Sequence, residues 1–217
     1  MERNDIASYL DVTLVQTNHS KNDIDNLISA SKENKFACVF TLPCYAQYTK
    51  DCLQGTGVHI GGVVGFPSGG EFLETKQFEA RQNVAMDLDE IDMVINVGWL
   101  LSDEYDKVRD EIKLIKDIVC ERPLKCIIEI SLLSEYYAKK AAELIVEAGA
   151  DYVKTGTGWI APTTIEHIKL LKSVVGDSIY IKAAGGIRSR EIADSFLAAG
   201  AYRLGVGMKN VEEILKK

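Results

Sequence analysis

Eight times along this chain a short run of β-branched and apolar residues gives way to a stretch with helical spacing, and that alternation most constrains the fold. The runs predict strands at 9–15, 36–42, 58–66, 91–97, 125–130, 152–157, 179–183 and 202–206. Helical patterns follow at 23–34, 43–53 and 74–88, the last carrying apolar Phe78, Val84 and Ala85. Further helices start near Ser102, with Ile112, Ile115 and Val119 at helical spacing, and after Ser134, which reads as a cap. The remaining helices fall at 163–174, 189–199 and up to 216, and Pro43 suits a first helical position. Eight units in 217 residues average about 27 each, close to one strand–helix pair of about 30. Strands that are apolar on both faces and alternate with helices form a parallel sheet, and eight of them close most economically into a (β/α)8 TIM barrel spanning 1–217 as one domain. An open doubly wound sheet is the alternative, disfavoured because no G-x-G-x-x-G opens the first helix.

Three charges interrupt these runs. Lys154 lies within Asp151-Tyr-Val-Lys-Thr-Gly-Thr-Gly158, Lys182 within Tyr180-Ile-Lys-Ala-Ala-Gly-Gly186, and Asp92 within Glu90-Ile-Asp-Met-Val-Ile-Asn96. Helices cover the outside of a barrel, so a charge in mid-strand points inward, and catalytic groups gather at the C-terminal strand ends. Glu129 and Asp11 are further inward candidates. A lysine amine attacks a carbonyl only when neutral, and its ordinary pKa of ~10.4 leaves almost none in that form near pH 7. Burial and a second lysine on the neighbouring strand both disfavour the ammonium, so Lys154 and Lys182 would perturb each other, with Asp92 moving protons. These parts describe a Schiff-base enzyme acting on a carbon–carbon bond beside a carbonyl. A buried ion-pair network that merely fills the barrel is the plainer alternative.

Glycine pairs at the exits of the last three strands point toward a phosphate. Gly156 and Gly158, Gly185 and Gly186, then Gly205 and Gly207 lie where backbone N–H groups bind anions in many barrels, with Arg188 alongside. The formal charge of −7 argues against a nucleic-acid surface, though not against a local basic pocket. Residues 1–5 lack a secretory character, and no window approaches the ~18 apolar residues of a membrane span, so a cytoplasmic protein is expected. Cys38, Cys44, Cys52, Cys120 and Cys126 show neither CxxC nor a His/Cys ligand spacing and read as reduced thiols. His19, His59 and His167 are scattered without ligand spacing, and Trp159 stands at the mouth or caps the core.

Glu90-Ile-Asp-Met-Val-Ile-Asn-Val-Gly98, Ala148-Gly-Ala-Asp-Tyr-Val-Lys-Thr-Gly-Thr-Gly158, Ile181-Lys-Ala-Ala-Gly-Gly-Ile-Arg188 and Tyr202-Arg-Leu-Gly205 resemble the deoxyribose-phosphate aldolase family. Val64-Gly-Phe-Pro67 and Glu74-Thr-Lys-Gln-Phe-Glu79 extend the likeness over nearly the whole chain. The resemblance implies a class I aldolase with Lys154 as Schiff-base nucleophile, Lys182 lowering its pKa and Asp92 as proton relay. It implies reversible cleavage of 2-deoxy-D-ribose 5-phosphate to acetaldehyde and D-glyceraldehyde 3-phosphate, with no cofactor or metal, in deoxyribonucleotide catabolism. Gly158, Gly185, Gly186, Arg188, Gly205 and Gly207, together with Asp11 and Thr155, would bind substrate, and a homodimer is expected.

The chain departs from the family pattern at several positions. Phe40 stands where the family usually has cysteine, Leu42 where it has a polar residue or tyrosine, and Gly156 where it has serine. Gly207 and Met208 correspond to its phosphate-binding serines, with Lys209 next to them. An aldolase of the same chemistry on another aldehyde or sugar phosphate, and a silent metabolite-binding barrel, therefore stay open.

Overall fold

A computed structural model describes residues 5–216; residues 1–4, which enter the reading of a non-secretory start, lie outside them. The strands are β1 (Leu10–Leu14), β2 (Cys38–Thr41), β3 (His59–Val64), β4 (Glu90–Val94), β5 (Leu124–Ile127), β6 (Tyr152–Lys154), β7 (Tyr180–Ala184) and β8 (Arg203–Gly207). Each pairs in parallel with its sequence neighbours, and β1 also pairs with β8, so the sheet closes. The helices are α1 (Lys21–Asn34), α2 (Pro43–Leu53), α3 (Leu73–Ala85), α4 (Val97–Leu101), α5 (Tyr105–Val119), α6 (Glu135–Glu147), α7 (Ile165–Val175), α8 (Arg190–Ala198) and α9 (Val211–Leu215). This is the (β/α)8 TIM barrel that the alternation predicts. Closure between β1 and β8 rules out the open sheet.

The period of two along each strand separates two environments. Val12, Val39, Ile91, Met93, Val153 and Leu204 join one apolar layer with helix residues such as Leu27, Ile145 and Leu171. Their alternates Asp11, Asp92, Lys125, Lys154, Lys182 and Arg203 face one another across the lumen. The inner face thus carries the inward charges that the sequence reading expects at Asp11, Asp92, Lys154 and Lys182, and adds Lys125 and Arg203 to them. The outer layer supplies the driving force for folding: Ile112, Ile115 and Val119 on α5 are completely buried, each worth ~1.5–3 kcal/mol.

Helix starts follow their capping residues. Ser20 and Asp23 form a capping box on α1, Ser134 caps α6, and Thr164 caps α7 with His167 returning the bond. Three expectations need correction. Phe78 is 61% exposed, and α3 buries Lys76, Ala80 and Asn83 instead, because Lys76 reaches the Val94 carbonyl and Glu111. The chain turns helical at Val97, where the Asn96 side chain accepts from the Trp99 N–H, so a short helix precedes α5 rather than one helix starting at Ser102. The fifth and sixth strands end early, at Ile127 and Lys154. Glu129 adopts a left-handed φ of 48° and its carboxylate accepts from the Thr157 N–H and hydroxyl, which folds 155–158 into a turn.

Candidate active site

A cavity of about 680 Å³ opens at the C-terminal ends of the strands. Its floor is made by Asp92, Lys154, Phe40 and Val63, and one flank by Gly158, Gly185, Gly186, Arg188, Gly205 and Gly207. Lys182, Asp11 and Thr155 do not line it. Lys182 and Asp11 are completely buried beneath the floor, and the Thr155 hydroxyl ties β6 to β7 by accepting from the Ala184 N–H at 2.9 Å. His19 and Lys209 are in the wall, whereas Trp159 packs edge-on against the wall residue Phe66.

The pairing of β6 with β7 sets Lys154 directly beside Lys182. Both ammonium groups reach the same oxygen, Asp92 Oδ2, at 2.7 Å each. Lys182 also contacts Asp11 Oδ2 at 2.6 Å, and Arg203 spans Asp11 Oδ1 at 2.5 Å and Glu90 Oε1 at 2.7 Å. Lys125 bonds Glu90, and His59 Nδ1 lies 2.9 Å from that carboxylate. Among the described residues the lumen therefore holds four cationic side chains, Lys125, Lys154, Lys182 and Arg203, against three carboxylates, Asp11, Glu90 and Asp92. Cations exceed anions by one, and of the three lumen lysines Lys154 is the one that touches the cavity.

Electrostatics follow from that imbalance. Burial lowers the Lys154 amine to about 8; Asp92 opposes the shift and Lys182 adds to it. Burial pushes the Asp92 carboxyl up, but Lys154, Lys182 and Lys125 together hold it well below the usual carboxylate range. Burial likewise disfavours the Lys125 ammonium, yet Asp11, Asp92 and Glu90 raise it well above an ordinary lysine. A near-neutral amine beside an ionised carboxylate, open to a cavity, can add to a carbonyl and pass a proton.

Sequence reasoning missed Glu90, Lys125 and Arg203 because they sit at the first turns of their strands, where a charge normally meets solvent. Parity holds the signal: Glu90 stands two residues before Asp92, and Arg203 two before Gly205, on the same face. Among the described residues no cluster of histidine, cysteine, aspartate and glutamate is suited to hold a metal ion.

The model of the DeoC/LacD family aldolases matches residues 6–208. The chain belongs to that family. A deoxyribose-phosphate aldolase of Streptococcus uberis is 41% identical over 201 residues, covering 92% of this chain and 91% of the relative. One from Caldanaerobacter subterraneus is 42% identical over 222 residues, with 98% and 94% covered. Among solved structures, an aldolase designated QR15 superposes with a TM-score of 0.90 at 34% identity, covering 94% of this chain and 91% of that one. The tetrameric deoxyribose phosphate aldolase of Aeropyrum pernix gives 0.86 at 28%, with 97% and 89% covered.

Within a DeoC/LacD aldolase the departures from the family pattern acquire physical reasons. A Cβ at Gly156 would stand 2.7 Å from Glu129 Oε1, so the carboxylate that folds the turn occupies the space a serine would need. Gly186, which the chain shares with the family pattern, has φ +80° and a Cβ there would meet Pro162 at 2.6 Å, so that position has no room for a side chain. At Gly207 nothing lies within 4 Å of an added Cβ, so the flank has room for a hydroxyl and carries none.

Proposed function

We propose that the chain catalyses the reversible retro-aldol cleavage of 2-deoxy-D-ribose 5-phosphate to acetaldehyde and D-glyceraldehyde 3-phosphate. Lys154 adds to the C1 aldehyde carbon of the open-chain sugar, water leaves, and an iminium forms. A base, Asp92 acting directly or through water, takes the C3 hydroxyl proton. The C2–C3 bond then breaks, its electron pair flows into the iminium to give an enamine, and the three-carbon aldehyde phosphate departs. Protonation at C2 and hydrolysis return Lys154 and release acetaldehyde. Burial lowers the Lys154 amine, and Lys182, fixed beneath the floor, adds to that lowering, so that more of it is neutral than of an ordinary lysine.

One observation carries this reading: a buried lysine that opens to the cavity, lowered to about 8, shares a carboxylate oxygen with a second lysine. Purely structural ion pairs do not leave one cation in excess beside a cavity. Gly158, Gly185, Gly186 and Gly205 would admit the sugar phosphate close to backbone, with Arg188 and Lys209 supplying charge. Asp11 and Thr155, below and beside the wall, would act by holding Lys182 and the strand ends rather than by touching substrate.

The test is capture. Protein incubated with acetaldehyde and borohydride should gain one ethyl group on the Lys154 peptide, and deoxyribose phosphate should be cleaved in a coupled assay. No adduct with any carbonyl compound would favour a silent barrel. The vacant flank at Gly207 supports a second reading, in which a non-phosphorylated or differently phosphorylated sugar is preferred. Two absent hydroxyl contacts at ~1–2 kcal/mol each correspond to roughly tens-fold or more in phosphate affinity. Comparing kcat/KM for deoxyribose and its 5-phosphate decides between them.

A homodimer and a cytoplasmic location are proposed from the family likeness. The described residues contain no helix long and apolar enough to cross a membrane. Sedimentation equilibrium tests the assembly.

A further inference from the structure

Phe40 is not placed in the chemistry by anything above, yet it is buried, it lines the cavity, and its ring covers two of the lumen lysines. Its centroid lies 4.0 Å from Lys182 Nζ and 5.0 Å from Lys125 Nζ. Among the described residues Lys154 has no aromatic face over its ammonium. The neighbouring strand is adapted to this arrangement: Gly61 pairs with Phe40 across β2 and β3, and a Cβ at Gly61 would lie 2.0 Å from the ring carbon Cε1.

With four cations and three carboxylates, the lumen must settle which amine gives up its proton. Lys182 is faced by Asp11 from β1, Asp92 from β4, Lys125 from β5 and Lys154 from β6. Cys38 on β2, Glu90 on β4 and Arg203 on β8 complete its charged or titratable surroundings. Lys154 and Lys182 share Asp92 Oδ2 at equal distance, so that carboxylate does not choose between them. Asp11 Oδ2, 2.6 Å from Lys182, favours Lys182 as the charged one, and the negative face of an aromatic ring adds to that choice, because it attracts an ammonium and not a neutral amine, and a desolvated site strengthens the effect.

We propose that Phe40 is a positioning residue that assigns the protons of the lumen, holding Lys182 and Lys125 as ammonium ions under its ring so that Lys154 is the amine left neutral. Phe40 touches no reacting atom in this scheme and acts through Lys182. The inference rests on Lys154 being the nucleophile, and its test therefore reads the amine itself rather than turnover.

Phenylalanines with one, two and three ring fluorines at position 40 keep the shape and progressively remove the negative face. The titration of Lys154 is followed by trace acylation and mass spectrometry across neutral and alkaline pH, with no substrate present. Its midpoint should climb stepwise with each fluorine, by about one pH unit in all. Phe40→Leu should reach the same end point, and Gly61→Ala, which forces the ring aside while leaving Phe40 intact, should move the midpoint in the same direction. A midpoint unchanged through the fluorinated series overturns the proposal, and so does a shift in Phe40→Leu without one in that series, since bulk alone would then account for it. Failure to cleave deoxyribose phosphate would leave this readout untouched and would count only against the substrate.

Discussion

Among the described residues the protein contains two buried ion-pair systems, one in the lumen and one between α3 and α5, both pairing lysines with carboxylates and doing different things. Outside the barrel, Lys76 meets Glu111 Oε1 at 2.9 Å and the Val94 carbonyl at 3.0 Å, while Glu111 Oε2 accepts from the Asn96 N–H. One cation faces one anion, and both are sealed from water. In the lumen a cation is left over, and among the described residues Asp92 Oδ1 has no hydrogen-bond partner, Lys125 Nζ standing 3.7 Å away. Balance makes the first system a strut that ties the loop after β4 to two helices. Imbalance, at a point open to a cavity, is what suits the second to the proposed chemistry. Burial by itself therefore does not mark a catalytic lysine; an unmatched charge does.

Replacing each lysine breaks the comparison most sharply. Lys154→Met should lower the retro-aldol rate by at least about 10⁴-fold and abolish the borohydride adduct, with the circular dichroism spectrum kept. Lys76→Met should instead leave kcat within roughly an order of magnitude while costing ~3–5 kcal/mol in urea unfolding, because Glu111 stays buried without its partner. Adding Glu111→Leu to that variant should restore most of the loss.

The smallest expected effect is the response to pH. Lys154 titrates at about 8 when folded and near the ordinary lysine value of 10.5 when unfolded. The unfolded chain therefore binds the extra proton between those values, and stability should rise with pH across that window by ~3 kcal/mol. Below pH 8 the penalty is fully present; Lys154→Met should lack the rise. Activity requires the neutral amine, so kcat/KM should fall about tenfold per unit below pH 8. Lys182→Met, which removes the repelling charge, should move that limb upward. Differential unfolding and a pH–rate series check both.

The fold was legible because apolar runs and helix caps recur in register with the barrel's period, and local signals agreed with the final packing. Lys154, Lys182 and Asp92 stood out since nothing about an outward strand face explains a charge there. Glu90, Lys125 and Arg203 did not, because position near a strand start has an ordinary explanation. On α3 the pattern misled: Phe78 reads as core, but the helix turns Lys76 inward because a buried carbonyl and carboxylate await it. Partners from distant strands carry no local signal, and Glu129 is of that kind, its role set by a positive φ and by Thr157, 28 residues away.

Asp92 Oδ2, the acceptor for two lysines, has a further consequence. Once the Lys154 nitrogen forms a C=N bond it keeps a single hydrogen, and this oxygen, 2.7 Å from the resting amine, is the acceptor already within reach. In the proposed iminium that contact would restrict rotation about the bond from Cε to Nζ, so the planar carbon skeleton would show the cavity a single side. In the condensing direction the side from which the enamine can be approached would then be limited by a carboxylate that does not touch the carbon being joined.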